Sequence, residues 1–154
     1  MYSGRAFPAI LMLTLAGIAS AQSLEVGVMV GEPTGLNGKI WLDARHAVDA
    51  GLAWSLQSQR SLHAHADWLI HDPEILADSQ IPGEPSLYYG VGGRLSARDH
   101  GRDHLGVRIP LGLAWRLPGA PLAVFFELAP VVDLVPDTGL DVEGGLGLRY
   151  CFPE

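Results

Sequence analysis

The segment His63-Ala64-His65-Ala66-Asp67 is the part of the chain whose residue types and spacing best suit chemistry. On an extended strand, residues two apart share a face, with Cα atoms about 6.5–7 Å apart. Two imidazoles and a carboxylate on one face can bind a metal ion or form a His–Asp acid–base pair. An interior network of hydrogen bonds and ion pairs accounts for the same residues, because buried charges must be paired. We favour the network and predict no cofactor and no metal, with His63, His65 and Asp67 as weak metal candidates.

The composition excludes several classes of protein. The chain has 154 residues and a formal net charge of −7, which fits one acidic domain. Binding to nucleic acid is not expected, because phosphate contacts need clustered Lys and Arg and the chain has no basic cluster. The single cysteine, Cys151, allows neither an intramolecular disulfide nor a zinc site built from cysteines.

The N-terminal residues have the features of an export signal. Arg5 supplies a positive start, and residues 7–18 form an apolar core that is too short to cross a bilayer as a helix. Residues 19–21 (Ala-Ser-Ala) match the small-residue pattern of a cleavage site. We therefore predict a cleaved signal peptide over residues 1–21 and a single mature domain over residues 22–154.

After this signal the sequence alternates between apolar and small or charged residues with a period of two, which is typical of β-strands. The clearest segment, 141–152, alternates Val, Leu, Tyr and Phe with Glu, Gly, Arg and Cys. Turn residues separate the segments. About eight strands are expected, which predicts an all-β fold, a single antiparallel up-and-down β-barrel. The other strand segments are 24–31, 36–43, 47–56, 61–70, 87–96, 105–116 and 122–134.

The two faces of these strands differ in a way that indicates lipid on the outside. One face carries Leu, Val, Ile and Trp, whereas the other carries Gly, Ala and isolated charges of both signs. A soluble sheet would instead have an evenly hydrated polar face. Paired charges and glycines suit the crowded interior of a small barrel, and an apolar outer band needs a membrane. The predicted interior polar residues are Glu25, Lys39, Asp49, His63, His65, Asp67, Arg94, Arg108, Glu127, Asp133, Glu143 and Arg149.

The chain resembles the small eight-stranded outer-membrane β-barrel proteins of Gram-negative bacteria. It is similar to uncharacterised exported barrels with a Gly-Glu-Pro-Thr-Gly-Leu stretch, residues 31–36 here. The resemblance is most specific in the last strand, residues 142–152, which alternates and ends in an aromatic residue. Two residues follow that aromatic, which departs from the family pattern. The resemblance implies a monomer in the outer membrane after export through the inner membrane. The implied partners are lipid, lipopolysaccharide and the outer-membrane insertion machinery.

With the N-terminus on the periplasmic side, many aromatic residues fall near periplasmic strand ends. Interfacial aromatics are expected at both rims of a membrane barrel, so we predict a one-sided girdle. The longest connection, 71–85, falls on the same side, and Pro110 and Pro130 predict bulges or strand ends in the wall. The predicted interface aromatics are Trp41, Trp68, Tyr89, Trp115, Tyr150 and Phe152.

These features predict a structural or envelope-maintenance barrel that is neither an enzyme nor a pore, because side chains fill an eight-stranded barrel. One alternative is a soluble periplasmic lipocalin-like barrel that binds a small apolar ligand, with residues 105–113 turned inward and Arg108 in water. The other is a lipid hydrolase, since the resemblance includes the lipid A deacylase type, which has a His and a Ser two apart on a strand. Here Ser61 precedes His63 in the reverse order, which argues against that activity.

Overall fold

The structure, a computed structural model, describes residues 23–55, 61–98 and 101–153. The predicted signal peptide and its cleavage site lie outside the described residues. Within them, no helix is long and apolar enough to cross a membrane. One 3-10 helix is present, Glu74–Leu76. The strands are β1 (Ser23–Glu32), β2 (Gly35–Trp41), β3 (His46–Ser55), β4 (Ser61–Asp72), β5 (Glu84–Arg98), β6 (His104–Arg108), β7 (Leu111–Arg116), β8 (Leu122–Val135) and β9 (Gly139–Cys151).

The sheet closes on itself. β1 pairs antiparallel with β2 on one side and with β9 on the other. β6 and β7 together take the place of one strand in the barrel, because both pair with β5 on one side and with β8 on the other. The nine segments therefore form a ring of eight strands. The predicted all-β, antiparallel up-and-down barrel is confirmed.

Two prolines lie at the interruption between β6 and β7. Pro110 has no N–H to donate to β5, although its carbonyl accepts the Gly90 N–H at 3.0 Å. On the other side, the Ile109 N–H donates to the Pro130 carbonyl at 2.9 Å, and Pro130 has no N–H to return the bond. The expected irregularity therefore occurs at Pro110. Pro130 does not end or bulge its strand, since β8 continues through it, and the register shift against β8 lies near the start of β6.

The connections divide between two ends of the barrel. The end that contains the start of β1 and the end of β9 is called the terminal end, and the opposite one the hairpin end. The long connection 73–83, with its 3-10 helix, lies at the terminal end, as do the turns 42–45 and 117–121. In the turn 42–45, the backbone N–H groups of Arg45 and His46 donate to the Asp43 carboxylate. These hydrogen bonds lower the pKa of that carboxyl.

The strand alternation places most large apolar side chains outside the barrel and most charged ones inside. The side chains of Leu105, Val107, Ile109, Leu111 and Leu113 are 38–54% exposed, whereas Arg108 is 1% exposed. The soluble lipocalin-like alternative required the opposite orientation of this segment. The observed orientation is evidence against that alternative.

Most of the predicted interface aromatics do lie on the outer face. Trp115 is half-buried and donates its Nε1–H to the Pro82 carbonyl of the 73–83 connection at 2.8 Å. The predicted interface aromatics that are exposed on the outside are Trp68, Tyr89, Tyr150 and Phe152.

The prediction for Trp41 is wrong, because its side chain lies inside the barrel. Its Nε1–H donates to Glu25 Oε1 at 2.8 Å, and its ring packs on His71 with centroids 4.4 Å apart. The reason is the alternation itself. Lys39 points inward on β2, so the residue two positions further shares its face.

Candidate functional site

The candidate site is the polar interior, which the inward positions of the strands build together. All of the predicted interior residues except His63 are buried, and His63 is half-buried. Four further polar side chains are buried, and each occupies an inward position of the same alternation, from which it could have been predicted. These are Asn37, His71, Tyr88 and Ser96.

Ion pairs fill the hairpin half of the interior. Arg94 contacts both carboxylate oxygens of Asp133, at 2.8 and 2.9 Å, and donates to Glu143 at 2.7 Å and Asp141 at 2.8 Å. Arg108 donates to the other oxygen of Glu143 at 2.6 Å. Such charge-assisted bonds are about twice as strong as neutral ones. These five residues, called the hairpin cluster, join strands β5, β6, β8 and β9.

Aromatic rings and two cations fill the terminal half. The Arg149 guanidinium lies 3.7 Å from the centroid of the Phe125 ring, and Lys39 Nζ lies 4.8 Å from that of Tyr88. Both are cation–π arrangements. Arg149 also donates to Asp49 at 2.9 Å. We call this group the aromatic cluster; its members are Lys39, Trp41, His71, Tyr88, Phe125 and Arg149.

Glu127 joins the two clusters. Its Oε2 accepts the Tyr88 hydroxyl at 2.8 Å, and its Oε1 accepts Arg108 at 2.5 Å. The carboxylate is itself buried. Glu127 therefore contacts both halves of the interior.

A serine–histidine pair that the sequence analysis did not find lies in the terminal half. His71 Nδ1 is 3.0 Å from Ser86 Oγ, and His71 Nε2 is 3.0 Å from Lys39 Nζ. A charged Lys39 can only donate, in which case Nε2 accepts and Nδ1 carries the proton that points at Ser86. A general base must accept the serine proton. His71 can therefore act as a base toward Ser86 only with a neutral Lys39 and the other tautomer of the ring.

The structure brings two of the three weak metal candidates together and leaves out the third. The ligand atoms of His65 and Asp67 lie within 4.8 Å of each other and of Asp49, and all three residues are buried. His63 is not in this group. The sequence missed Asp49 as a member because it pairs with Asp67 across β3 and β4, a register that one strand does not reveal.

Two glycines make room for this cluster. Gly51 lies opposite His65 and Gly92 lies opposite Asp67 on the neighbouring strands. A Cβ on Gly51 would lie 2.2 Å from His65 Cε1, and a Cβ on Gly92 would lie 1.9 Å from Asp67 Oδ1. The imidazole and the carboxylate therefore occupy space that any larger residue would fill.

A cavity opens at each end of the barrel. The terminal cavity, about 530 Å³, is lined by Trp41, His71, Arg116 and the connection 73–83. The hairpin cavity, about 500 Å³, is lined by His63, Arg94, Arg98 and residues of the hairpin turns. The buried side chains of the two clusters lie between these cavities.

Comparison with known families finds no match, and no curated protein matches the chain. Among solved structures, the chain is similar to the crystal structure of the N-terminal β-barrel domain of Pseudomonas aeruginosa OprF. The TM-score is 0.60 at 14% identity, over 86% of this chain and 98% of that chain. The similarity shows a shared barrel fold. It supports the predicted resemblance to small outer-membrane barrels at the level of fold, without a named family.

Proposed function

We propose that this protein is an outer-membrane β-barrel with a structural, envelope-maintenance role, and that it is neither an enzyme nor a conducting pore. The apolar outer surface around a charged interior is the observation that carries the proposal. Every strand contributes exposed large apolar side chains to this surface, for example Val28, Leu36, Leu52, Leu95 and Leu148. In water such a surface costs about 25 cal/mol for each Å² exposed, whereas lipid removes that cost.

The filled interior supports the view that the barrel does not conduct. Arg108, Arg149, Tyr88, Lys39 and Phe125 are among its largest fully buried or nearly buried side chains. They come from different strands and meet between the two end cavities. Ion flow requires a continuous water path, and the packing and pairing of these side chains argue against one.

The surroundings of two histidines in the described part of the chain support a non-enzymatic role. His71 Nδ1 lies 3.0 Å from Ser86 Oγ, but its Nε2 contacts Lys39, and a charged Lys39 would leave the ring proton on Nδ1, directed at Ser86. His63, the residue on which the hydrolase alternative depends, has no hydrogen-bond partner for Nδ1 among the described residues, so no carboxylate orients it there as in a serine hydrolase.

Fractionation tests the location. The full-length chain is expressed in a Gram-negative host, and the envelope fractions are run on SDS gels with and without boiling. We expect the chain in the outer-membrane fraction with a heat-dependent mobility shift, because a folded barrel stays compact in cold SDS. Recovery in the soluble periplasm without a shift would refute the proposal. Stepwise conductance in planar bilayers would refute its non-conducting part.

Two matched substitutions on β8 sharpen this test. Leu128 lies near the middle of the strand and Leu134 near its hairpin end, and both are about half exposed. In lipid, Leu128→Arg costs about 2–4 kcal/mol of unfolding free energy and Leu134→Arg about 0–1 kcal/mol. Urea titration of the barrel refolded in vesicles measures both values. Equal effects at the two depths would contradict a lipid-facing wall.

A further inference from the structure

Asp67 is the buried carboxylate with the poorest partners in the interior. Neither of its oxygens has a hydrogen-bond partner among the described residues. The nearest cation is Arg108, whose Nε is 3.0 Å from Oδ2. The two Nη atoms of Arg108 donate instead to Glu127 and Glu143. One guanidinium thus serves three buried carboxylates, and a buried carboxylate without hydrogen bonds is costly.

Two neighbours of Asp67 also present unpaired atoms. Asp49 Oδ1 and His65 Nε2 have no hydrogen-bond partner in the described part of the chain. They lie 3.6 Å apart, too far for a good hydrogen bond. The other oxygen of Asp49 is bonded to Arg149, so Oδ1 is left for the cluster. A proton on one of these three side chains can form a hydrogen bond between only two of them. A cation that lies between Asp49, His65 and Asp67 can contact all three.

We propose that Asp49, His65 and Asp67 bind one divalent transition-metal cation of the zinc type inside the barrel. The ligand atoms lie within 4.8 Å of one another, and a cation between them requires the side chains to close in until each ligand atom is 2.0–2.2 Å from the metal, as is typical of zinc bonds. One imidazole nitrogen with two carboxylate oxygens suits Zn²⁺ better than Ca²⁺ or Mg²⁺, which prefer all-oxygen sites. The site goes beyond the structural role proposed above and does not depend on it.

The position of the site explains what the cation would do. The three ligands come from β3 and β4. The site contacts both clusters, because Asp49 binds Arg149 at 2.9 Å and Asp67 lies 3.0 Å from Arg108. His63, two residues before His65 on the same inward face, lines the hairpin cavity. The cation adds positive charge beside Asp67, which shares Arg108 with two other carboxylates, and links two neighbouring strands.

Metal content of the purified, folded barrel tests the proposal. The protein is treated with chelator, loaded with ZnCl₂, dialysed and measured by mass spectrometry. We expect about one Zn²⁺ per chain and a rise of several degrees in the unfolding midpoint, since a ligand that binds only the folded state stabilises it. Loading with CoCl₂ gives an independent readout on the unmodified chain, because visible absorption of Co²⁺ reports the nitrogen and oxygen ligands directly.

Variants locate the metal. His65→Gln and Asp67→Asn should each lower the zinc content at least about tenfold. His63→Gln and His46→Gln are the matched controls, because His63 lies on the same face outside the cluster and His46 forms a surface pair with Asp43. Both controls should keep the metal. Zinc retained in the His65 variant, zinc lost in the His46 variant, or neither zinc nor a Co²⁺ spectrum in the unmodified chain would overturn the site.

A comparison of stability without metal separates the cation from a buried proton. Without zinc, Asp67→Asn should be at least as stable as the unmodified chain, because it removes a buried charge that has no hydrogen bond and shares Arg108 with two other carboxylates. With zinc, the unmodified chain should become the more stable of the two. If zinc leaves this order unchanged, Asp67 is held by a proton and the proposal fails.

Discussion

The two halves of the barrel interior hold their cations in different ways. In the hairpin cluster, Arg94 and Arg108 are surrounded by carboxylates at 2.5–3.0 Å. In the aromatic cluster, Lys39 and Arg149 face rings, and their hydrogen-bond partners include the neutral side chains His71 and Asn37. The buried positive charges are therefore met by carboxylates in the hairpin half, and in the aromatic half by ring faces and neutral side chains together with one close carboxylate, Asp49, on Arg149.

This difference predicts which substitutions in the interior destabilise the barrel most. Removing one member of a buried ion-pair cluster leaves charges of the opposite sign unpaired, which costs several kcal/mol. Removing one ring takes away a cation–π contact of about 0.5–2 kcal/mol and some packing, while the cation keeps its other partners. Single substitutions should therefore lower the free energy of unfolding more in the hairpin half than in the aromatic half.

The largest effect is expected for Arg108→Met. The change leaves the carboxylates of Asp67, Glu127 and Glu143 without their shared cation, so the free energy of unfolding should fall by about 3–5 kcal/mol. Urea titration of the barrel refolded in detergent micelles measures it. Arg102→Met is the control, because Arg102 is exposed and its Asp137 contact is 3.8 Å long. That variant should change the free energy of unfolding by less than about 0.5 kcal/mol. Similar losses in both variants would contradict the expectation that the hairpin half is sensitive to substitution.

A smaller effect is expected for Phe125→Leu in the aromatic cluster. The substitution removes the ring over the Arg149 guanidinium but keeps an apolar side chain, so the loss should be about 1–2 kcal/mol. The neighbouring Phe126→Leu is the matched control, because Phe126 is outward and 48% exposed. The same titration compares them. A loss at Phe125 as large as that at Arg108 would remove the distinction between the halves.

The smallest effect is expected for Tyr88→Phe, which removes one hydroxyl. The bond to Glu127 at 2.8 Å is lost, and the free energy of unfolding should fall by about 1 kcal/mol. Tyr89→Phe, on the outer face, should have no measurable effect. Combining Tyr88→Phe with Arg108→Met should give a loss that is not the sum of the two, because both residues bind Glu127. Additive losses would show that Glu127 does not couple the halves.

The alternation of the sequence was enough to predict the barrel and the direction of most side chains. Isolated charges such as Lys39, Arg108 and Arg149 are expensive to place in lipid, so their face had to be the inner one. The same rule, applied strictly, would have placed Trp41 inside with Lys39. The expectation of aromatic residues at the rim overrode it.

The contacts inside the barrel could not be predicted, because they depend on the register between strands. Asp49 meets Asp67, and Tyr88 reaches Glu127, only after the hairpins and the closure of β1 on β9 are fixed. Spacing along a single strand carries no information on such pairs. For this reason the sequence around His65 indicated residues of the types that can bind a metal, but it did not indicate Asp49 as the third of them.

The gap in the wall at Pro110 has a consequence for how the barrel opens. The two missing proline donors leave the carbonyls of Gly90 and Ile109 without their usual ladder bonds at one level of the barrel wall. The β3–β4 pairing, in contrast, is unbroken from one end to the other. Backbone amides of β6 and β7 should therefore exchange their hydrogens for deuterium before those of β3 and β4. The pairing of β6 and β7 with β5 and β8 should be the first part of the barrel to open.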